Sequence, residues 1–190
     1  MSTKEAFDRI YETNGWGGGS GPGSQPAAAL DLIDALNTYS NPKGSFLDIG
    51  CGDGRIASRL TAWHYLGVDV SERAIVEFQK NTRRPCVCMD AADGKWRFDY
   101  VLIKDVLQHL PREHCQRLLR AVEACETVLV VNDVPGVGCP EECQTGGYRP
   151  IDPVALDPRF RKVREFEVAG FRKGLWERKV WSRPAGQQST

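Results

Sequence analysis

The chain has no long hydrophobic run. No segment approaches the roughly 18 apolar residues that a membrane-spanning helix needs, and the polar N-terminus does not read as a secretory leader. It also has no net charge: 25 Lys and Arg are matched by 25 Asp and Glu, so no whole-molecule field favours polyanions. Internal repeats are missing, and low complexity is confined to Gly17–Ser24 and Pro184–Thr190. These absences argue against a membrane partner and against a nucleic-acid partner. A length of 190 residues suffices for one domain with a substantial core and is short for two. The seven cysteines are odd in number and come without a leader, which points to reduced thiols and a cytoplasmic setting. Their spacing, Cys86-x-Cys88 and Cys139-x-x-x-Cys143, is not that of a common zinc motif, and no metal site is assigned.

Charge is unevenly spread. Between Arg159 and Arg183 nine Lys/Arg stand against three Glu, a run that would suit an anionic acceptor or, more simply, two amphipathic strands with solvated faces. An N-terminal part (1–44) is expected to hold a helix over Lys4–Tyr11, a glycine-rich loop over Asn14–Ser24 carrying Trp16, and a helix capped by Ser24 with Pro26 in its first turn. A middle part (45–133) alternates: strand-like Ser45–Ile49, helical Arg55–Ala62, strand-like Tyr65–Val68, a helix from Ser71 to Asn81, strand-like Cys86–Met89 and Phe98–Ile103, a helix from Pro111 to Cys125, and a strand from Thr127. Such alternation implies a parallel sheet with helices on both faces. The last part (134–190) holds a Gly/Pro/Cys-rich loop, then Lys162–Phe171 and Leu175–Trp181 joined by a tight Arg172-Lys173-Gly174 connection, a hairpin closing the sheet edge.

The most informative stretch is Phe46-Leu47-Asp48-Ile49-Gly50-Cys51-Gly52-Asp53-Gly54. A strand that runs into a glycine-rich turn is how an open α/β sheet receives a nucleotide-like cofactor at the carboxyl ends of its strands. Asp69, nineteen residues after Gly50, is placed to bind ribose hydroxyls. A dinucleotide fold would need G-x-G-x-x-G, yet Arg55 stands where the third glycine belongs. Asp48, two residues before the first glycine, is unhelpful beside a pyrophosphate and useful beside an amino-acid ammonium. S-adenosylmethionine (SAM) carries an ammonium and a sulfonium and no phosphate.

Asp48–Gly54, then Gly67-Val68-Asp69, then Asp90, then Phe98–Ile103, resemble the successive motifs of class I SAM-dependent methyltransferases over residues 46 to about 131. That resemblance implies a Rossmann-like α/β fold with a seven-stranded, mostly parallel sheet whose last strand is antiparallel. It implies that the turn at Gly50 and Gly52 approaches the methionine and ribose portions of SAM, that Asp69 takes both ribose hydroxyls, and that Asp90 accepts from the adenine amine with Ala91 on its ring. Val70 and Lys104 are assigned to the cofactor in the same way, and S-adenosylhomocysteine (SAH) would be the product.

The acceptor is a separate question. Methyltransferases of base amines often carry Asn/Asp-Pro-Pro-Tyr/Phe after the fourth strand; Lys104-Asp105-Val106-Leu107-Gln108-His109-Leu110-Pro111 stands there instead. A hydroxyl acceptor needs a base within hydrogen-bond reach. Asp105, His109 and Asp133 are the candidates, with Asn132 beside the last on the acceptor's edge. A cation held by Asp105 and Asp133 is also conceivable. Asn14-Gly15-Trp16-Gly17, Ser20–Ser24 and Gly146-Gly147-Tyr148-Arg149-Pro150-Ile151-Asp152 resemble small methyltransferases of sugar and glycan modification, including domains of chlorella-virus glycan-building proteins. This likeness implies that the N-terminal segment folds over the cofactor with Trp16 beside it, and that Tyr148 and Arg149 line the acceptor pocket. The reading is therefore an O-methyltransferase for a saccharide hydroxyl. Its rivals are one for another small hydroxylated metabolite, and a module that binds SAM without catalysis. Oligomeric state is left open.

Overall fold

The computed structural model describes residues 1–180; Trp181, Arg183 and the Pro184–Thr190 tail lie outside the described residues. Seven strands form one sheet: β1 (Ser45–Ile49), β2 (His64–Asp69), β3 (Cys86–Cys88), β4 (Tyr100–Lys104), β5 (Thr127–Asp133), β6 (Arg161–Val168) and β7 (Phe171–Lys179). Their order is β3-β2-β1-β4-β5-β7-β6. The pairs among β1 to β5 are parallel, whereas β7 runs antiparallel to both β5 and β6. The chain reverses its direction of travel along the sheet at β1, and that switch point sets a crevice at the carboxyl edge.

Four helices flank the sheet: α1 (Thr3–Glu12), α2 (Leu30–Tyr39), α3 (Glu72–Asn81) and α4 (Arg112–Ala121). Buried Leu32, Ile33 and Leu36 of α2 and Ile75 and Phe78 of α3 pack with Phe46, Leu102 and Leu129 on one side. Phe7 of α1 and Leu118 and Leu119 of α4 pack with Leu47, Ile103 and Val130 on the other. Alternate residues of each central strand thus serve opposite cores, as a period of two requires. Ser2 and Glu5 form a capping box on α1, and Ser71 caps α3 by accepting from the Ala74 amide. Among the described residues no helix is long and apolar enough to cross a membrane.

Three expectations change. Arg55–Ala62 is not an α-helix but a single 3-10 turn at Ala57–Arg59: the backbone is already extended at Leu60, and the Leu60 and Ala62 carbonyls accept from the Arg84 guanidinium. Ser24 does not cap a helix: Pro22–Ser24 and Pro26–Ala28 are separate 3-10 turns, and α2 begins only at Leu30. The hairpin turn is Ala169-Gly170, both with positive φ (52° and 81°), rather than Arg172-Lys173-Gly174. A two-residue turn with left-handed backbone at both positions matches the twist of the flanking strands. The shift moves Lys173 from the turn into β7, opposite Asp133.

Candidate functional site

A cavity of about 480 Å³ opens at the carboxyl edge of the sheet, between the ends of β1, β2, β4 and β5. One wall is the glycine turn, where Gly50 and Gly52 take φ of 70° and 57°. These are left-handed values that a side chain would strain. A Cβ on Gly50 would stand 2.2 Å from Val106 Cγ2.

At this end two acids mark the boundaries of an apolar slot lined by Val70, Met89, Ala91 and Leu118. The Asp69 carboxylate accepts from the Gly52 and Ser71 amides, each at 2.9 Å, and burial pushes its pKa up to about 6. Asp90 accepts from the Ala92 amide (2.9 Å) and lies 3.1 Å from His114 Nε2; although burial pulls the other way, those partners hold it below the usual carboxylate range. The Gly52 amide is therefore already taken by a carboxylate. The 3-10 turn after the glycines offers no helix N-terminus either, so the turn is not built for a pyrophosphate. The arrangement offers carboxylate acceptors for hydroxyls or an amine on either side of an apolar slot.

The N-terminal loop closes this end. Ser20 N donates to Asp53 Oδ2 (3.1 Å), Asp53 N donates to Ser20 Oγ (2.8 Å), and the Tyr11 hydroxyl lies 2.7 Å from the same Oγ. Trp16 lines the cavity and packs against Phe7, Tyr11 and His109, with ring centroids 6.1, 5.6 and 5.3 Å away.

The opposite end is built from charged side chains. Asp105, just past β4, has a left-handed backbone (φ 56°), an uncommon conformation for a residue with a side chain. Its two oxygens receive two ammonium groups: Lys104 Nζ at 2.5 Å and Lys173 Nζ at 2.7 Å. Burial would raise its pKa, but the two lysines outweigh it and hold the carboxyl below its ordinary value. Lys173 also contacts Asp133 Oδ1 at 2.6 Å, and the Tyr148 hydroxyl donates to Asp133 Oδ2 at 2.6 Å. Against the pull of burial, Asp105 and Asp133 raise the pKa of Lys173. Beside this chain of charges, His109 Nδ1 lies 2.7 Å from the Gly147 carbonyl. A carbonyl only accepts, so Nδ1 carries the proton and Nε2 is left with a lone pair. Burial lowers the pKa of His109, which keeps the ring neutral.

Trp16, Gly50, Gly52, Asp69, Val70, Asp90, Ala91, Lys104, Asp105, His109, Asp133 and Tyr148 all line this one cavity. Three expected residues do not. Asp48 sits behind the turn, buried, accepting from the Tyr65 hydroxyl at 2.7 Å, and burial pushes its pKa up to about 6. Arg149, expected against the acceptor, is 1% exposed and donates to the Leu110 carbonyl, so its fork supports a loop from within. Asn132 is fully buried and alternates away from Asp133 along β5, as strand geometry demands. Lys173, His114 and Phe171 line the cavity without having been singled out in the sequence. For Lys173 the signal was its register opposite Asp133, hidden by the misplaced turn.

Residues 47–128 match the family described as "Methyltransferase domain". The match covers the glycine turn and the strands β1, β2, β3 and β4 that end at the cavity. The domain's fold recurs in solved structures. A magnesium protoporphyrin IX methyltransferase from Synechocystis PCC 6803 with bound SAM superposes with TM-score 0.66 at 18% identity, covering 93% of this chain and 96% of that one. A SAM-dependent methyltransferase from Anabaena variabilis ATCC 29413 gives TM-score 0.68 at 14% identity, covering 94% and 95%. A glycopeptide N-methyltransferase complexed with SAH gives 0.60 at 14%, covering 80% and 89%. No curated protein matches the chain by sequence.

Proposed function

We propose that the protein is an O-methyltransferase that moves a methyl group from SAM to a hydroxyl of a saccharide, with His109 as general base. The observation that carries the reading is the His109 hydrogen bond to the Gly147 carbonyl, which leaves Nε2 unprotonated, 3.5 Å from the Gln108 amide nitrogen, on a residue that lines the cavity. SAM supplies a methyl group made electrophilic by its sulfonium. What the protein must add is alignment of the acceptor oxygen, exclusion of water and a place for the proton.

In this reading Asp69 receives the ribose hydroxyls, and Asp90, oriented by His114, receives the adenine amine over Val70 and Ala91. The Gly50–Gly52 turn and Lys104 border the methionine portion, and Trp16 covers it. His109 takes the hydroxyl proton. Asp105 is a poor base, since both its oxygens hold ammonium groups, and it serves to position Lys104 and Lys173. Tyr148 and Phe171, about half exposed at the rim, offer flat apolar faces on which a sugar ring can lie. The sugar-linked motifs around Trp16 and Tyr148 support the same acceptor class. Seven free thiols accord with a cytoplasmic setting.

The test is acceptor profiling with sugar nucleotides and oligosaccharides in the presence of SAM, read by mass spectrometry. The expected result is a product heavier by one methylene, on oxygen. Transfer confined to amines, thiols or RNA would overturn the assignment.

A further inference from the structure

The carboxyl ends of β4 and β5 present two carboxylates to one another, Asp133 buried and Asp105 partly so, a pattern suited to a divalent cation with oxygen ligands. The position between them is filled by the chain itself. Lys173 reaches in from β7, its side chain 4% exposed, with its ammonium nitrogen 2.7 Å from Asp105 Oδ1 and 2.6 Å from Asp133 Oδ1. The remaining oxygen of each acid is also occupied, by Lys104 and by the Tyr148 hydroxyl. No carboxylate oxygen in the pair is left without a donor.

We propose that Lys173 is the resident cation of the acceptor end: its ammonium takes the place between Asp105 and Asp133 that a divalent ion would need, and the methyl transfer proceeds without such an ion. Charge explains the choice. Two lysines and two aspartates sum to zero, so the cluster would be neutral toward the positively charged sulfonium of a bound SAM. A divalent ion in place of the ammonium would leave an excess positive charge next to it, in a poorly solvated cleft where repulsion is little screened. Lys173 is a positioning residue. It fixes Asp133, and through Asp133 the Tyr148 hydroxyl, at the edge of the acceptor site.

This inference rests on reading that end as the acceptor site, but its test needs no acceptor. Mn²⁺ is titrated into wild type and into Lys173→Met, with binding followed by electron paramagnetic resonance and fold checked by SAH affinity. Wild type is expected to bind no Mn²⁺ below millimolar concentrations. Lys173→Met should gain a site with dissociation constant on the order of 10⁻⁴–10⁻³ M, abolished when Asp133→Asn is added. Equal Mn²⁺ affinity in wild type and variant would overturn the proposal, as would a folded Lys173→Met that takes none. Should that variant not fold, the Lys173 ¹⁵N ammonium resonance of the wild type decides. Persistence unshifted in excess Mg²⁺ supports the resident cation, and displacement by Mg²⁺ refutes it. Failure of acceptor profiling would leave each of these outcomes readable.

Discussion

The two ends of the cavity solve recognition in different ways. The cofactor end uses main-chain conformation and isolated acids: left-handed Gly50 and Gly52, Asp69 held by two amides, Asp90 at the start of the next turn. The acceptor end uses side chains that neutralise one another: Lys104, Asp105, Lys173, Asp133 and Tyr148 in one connected chain. A backbone cradle is rigid because the sheet fixes it, and it suits a ligand that never changes. A network of paired side chains can be altered one residue at a time without disturbing the strands beneath, which is where a choice of acceptor belongs.

The comparison predicts that damage at one end stays there. His109→Gln should lower methyl transfer by about 10²- to 10⁴-fold, the usual contribution of a general base, with SAH affinity by calorimetry changed less than about twofold. A parallel loss of SAH affinity would show that the two ends are not separable. Asp69→Ala should do the reverse. Loss of two hydrogen bonds to a charged group, each worth about 1.5 kcal/mol, weakens SAM binding by about 10²-fold while turnover at saturating SAM falls less than about tenfold. Gly50→Ala acts on the cradle itself, where the added Cβ meets Val106 Cγ2 at a left-handed φ. It should cost about 1–3 kcal/mol of stability in urea unfolding, and Val106→Ala should recover part of that loss.

The smallest effect is the pH response. Burial lowers the His109 pKa below 6.5, so the base form persists at neutral pH and is lost only as pH falls through the lowered value. Transfer at saturating SAM should then be flat around neutrality and fall about tenfold per unit on the acid side. Asp105, held below its ordinary range, should add no second limb in that window. The acid limb should vanish from the residual activity of His109→Gln, and a limb that survives there belongs to another group.

The cofactor end was readable in the sequence for a topological reason. A parallel sheet delivers the end of every strand to one edge, so Gly50, Asp69, Asp90 and Asp105, each at the end of a strand in the sequence, all meet at one cavity. The acceptor end lacks that regularity. Lys173 comes from an antiparallel strand, 40 residues beyond its partner Asp133, and its place depends on where a two-residue turn falls. Arg149 sits in a loop with no period to say which way a side chain points, and its neighbour Tyr148 lines the cavity while it is buried. Asp48 was read as a ligand for an ammonium; Tyr65 seventeen residues further on is what claims it, through a pairing between adjacent strands that charge alone does not reveal.

The Ala169-Gly170 turn has a consequence for how such a site diversifies. Side chains alternate between the faces of a strand, so a change in this turn that slid β7 by one step against β5 would carry Lys173 to the opposite face. Asp105 and Asp133 would be left facing each other without their ammonium. The register of β7 against β5 thus decides whether an ammonium stands between the two acids.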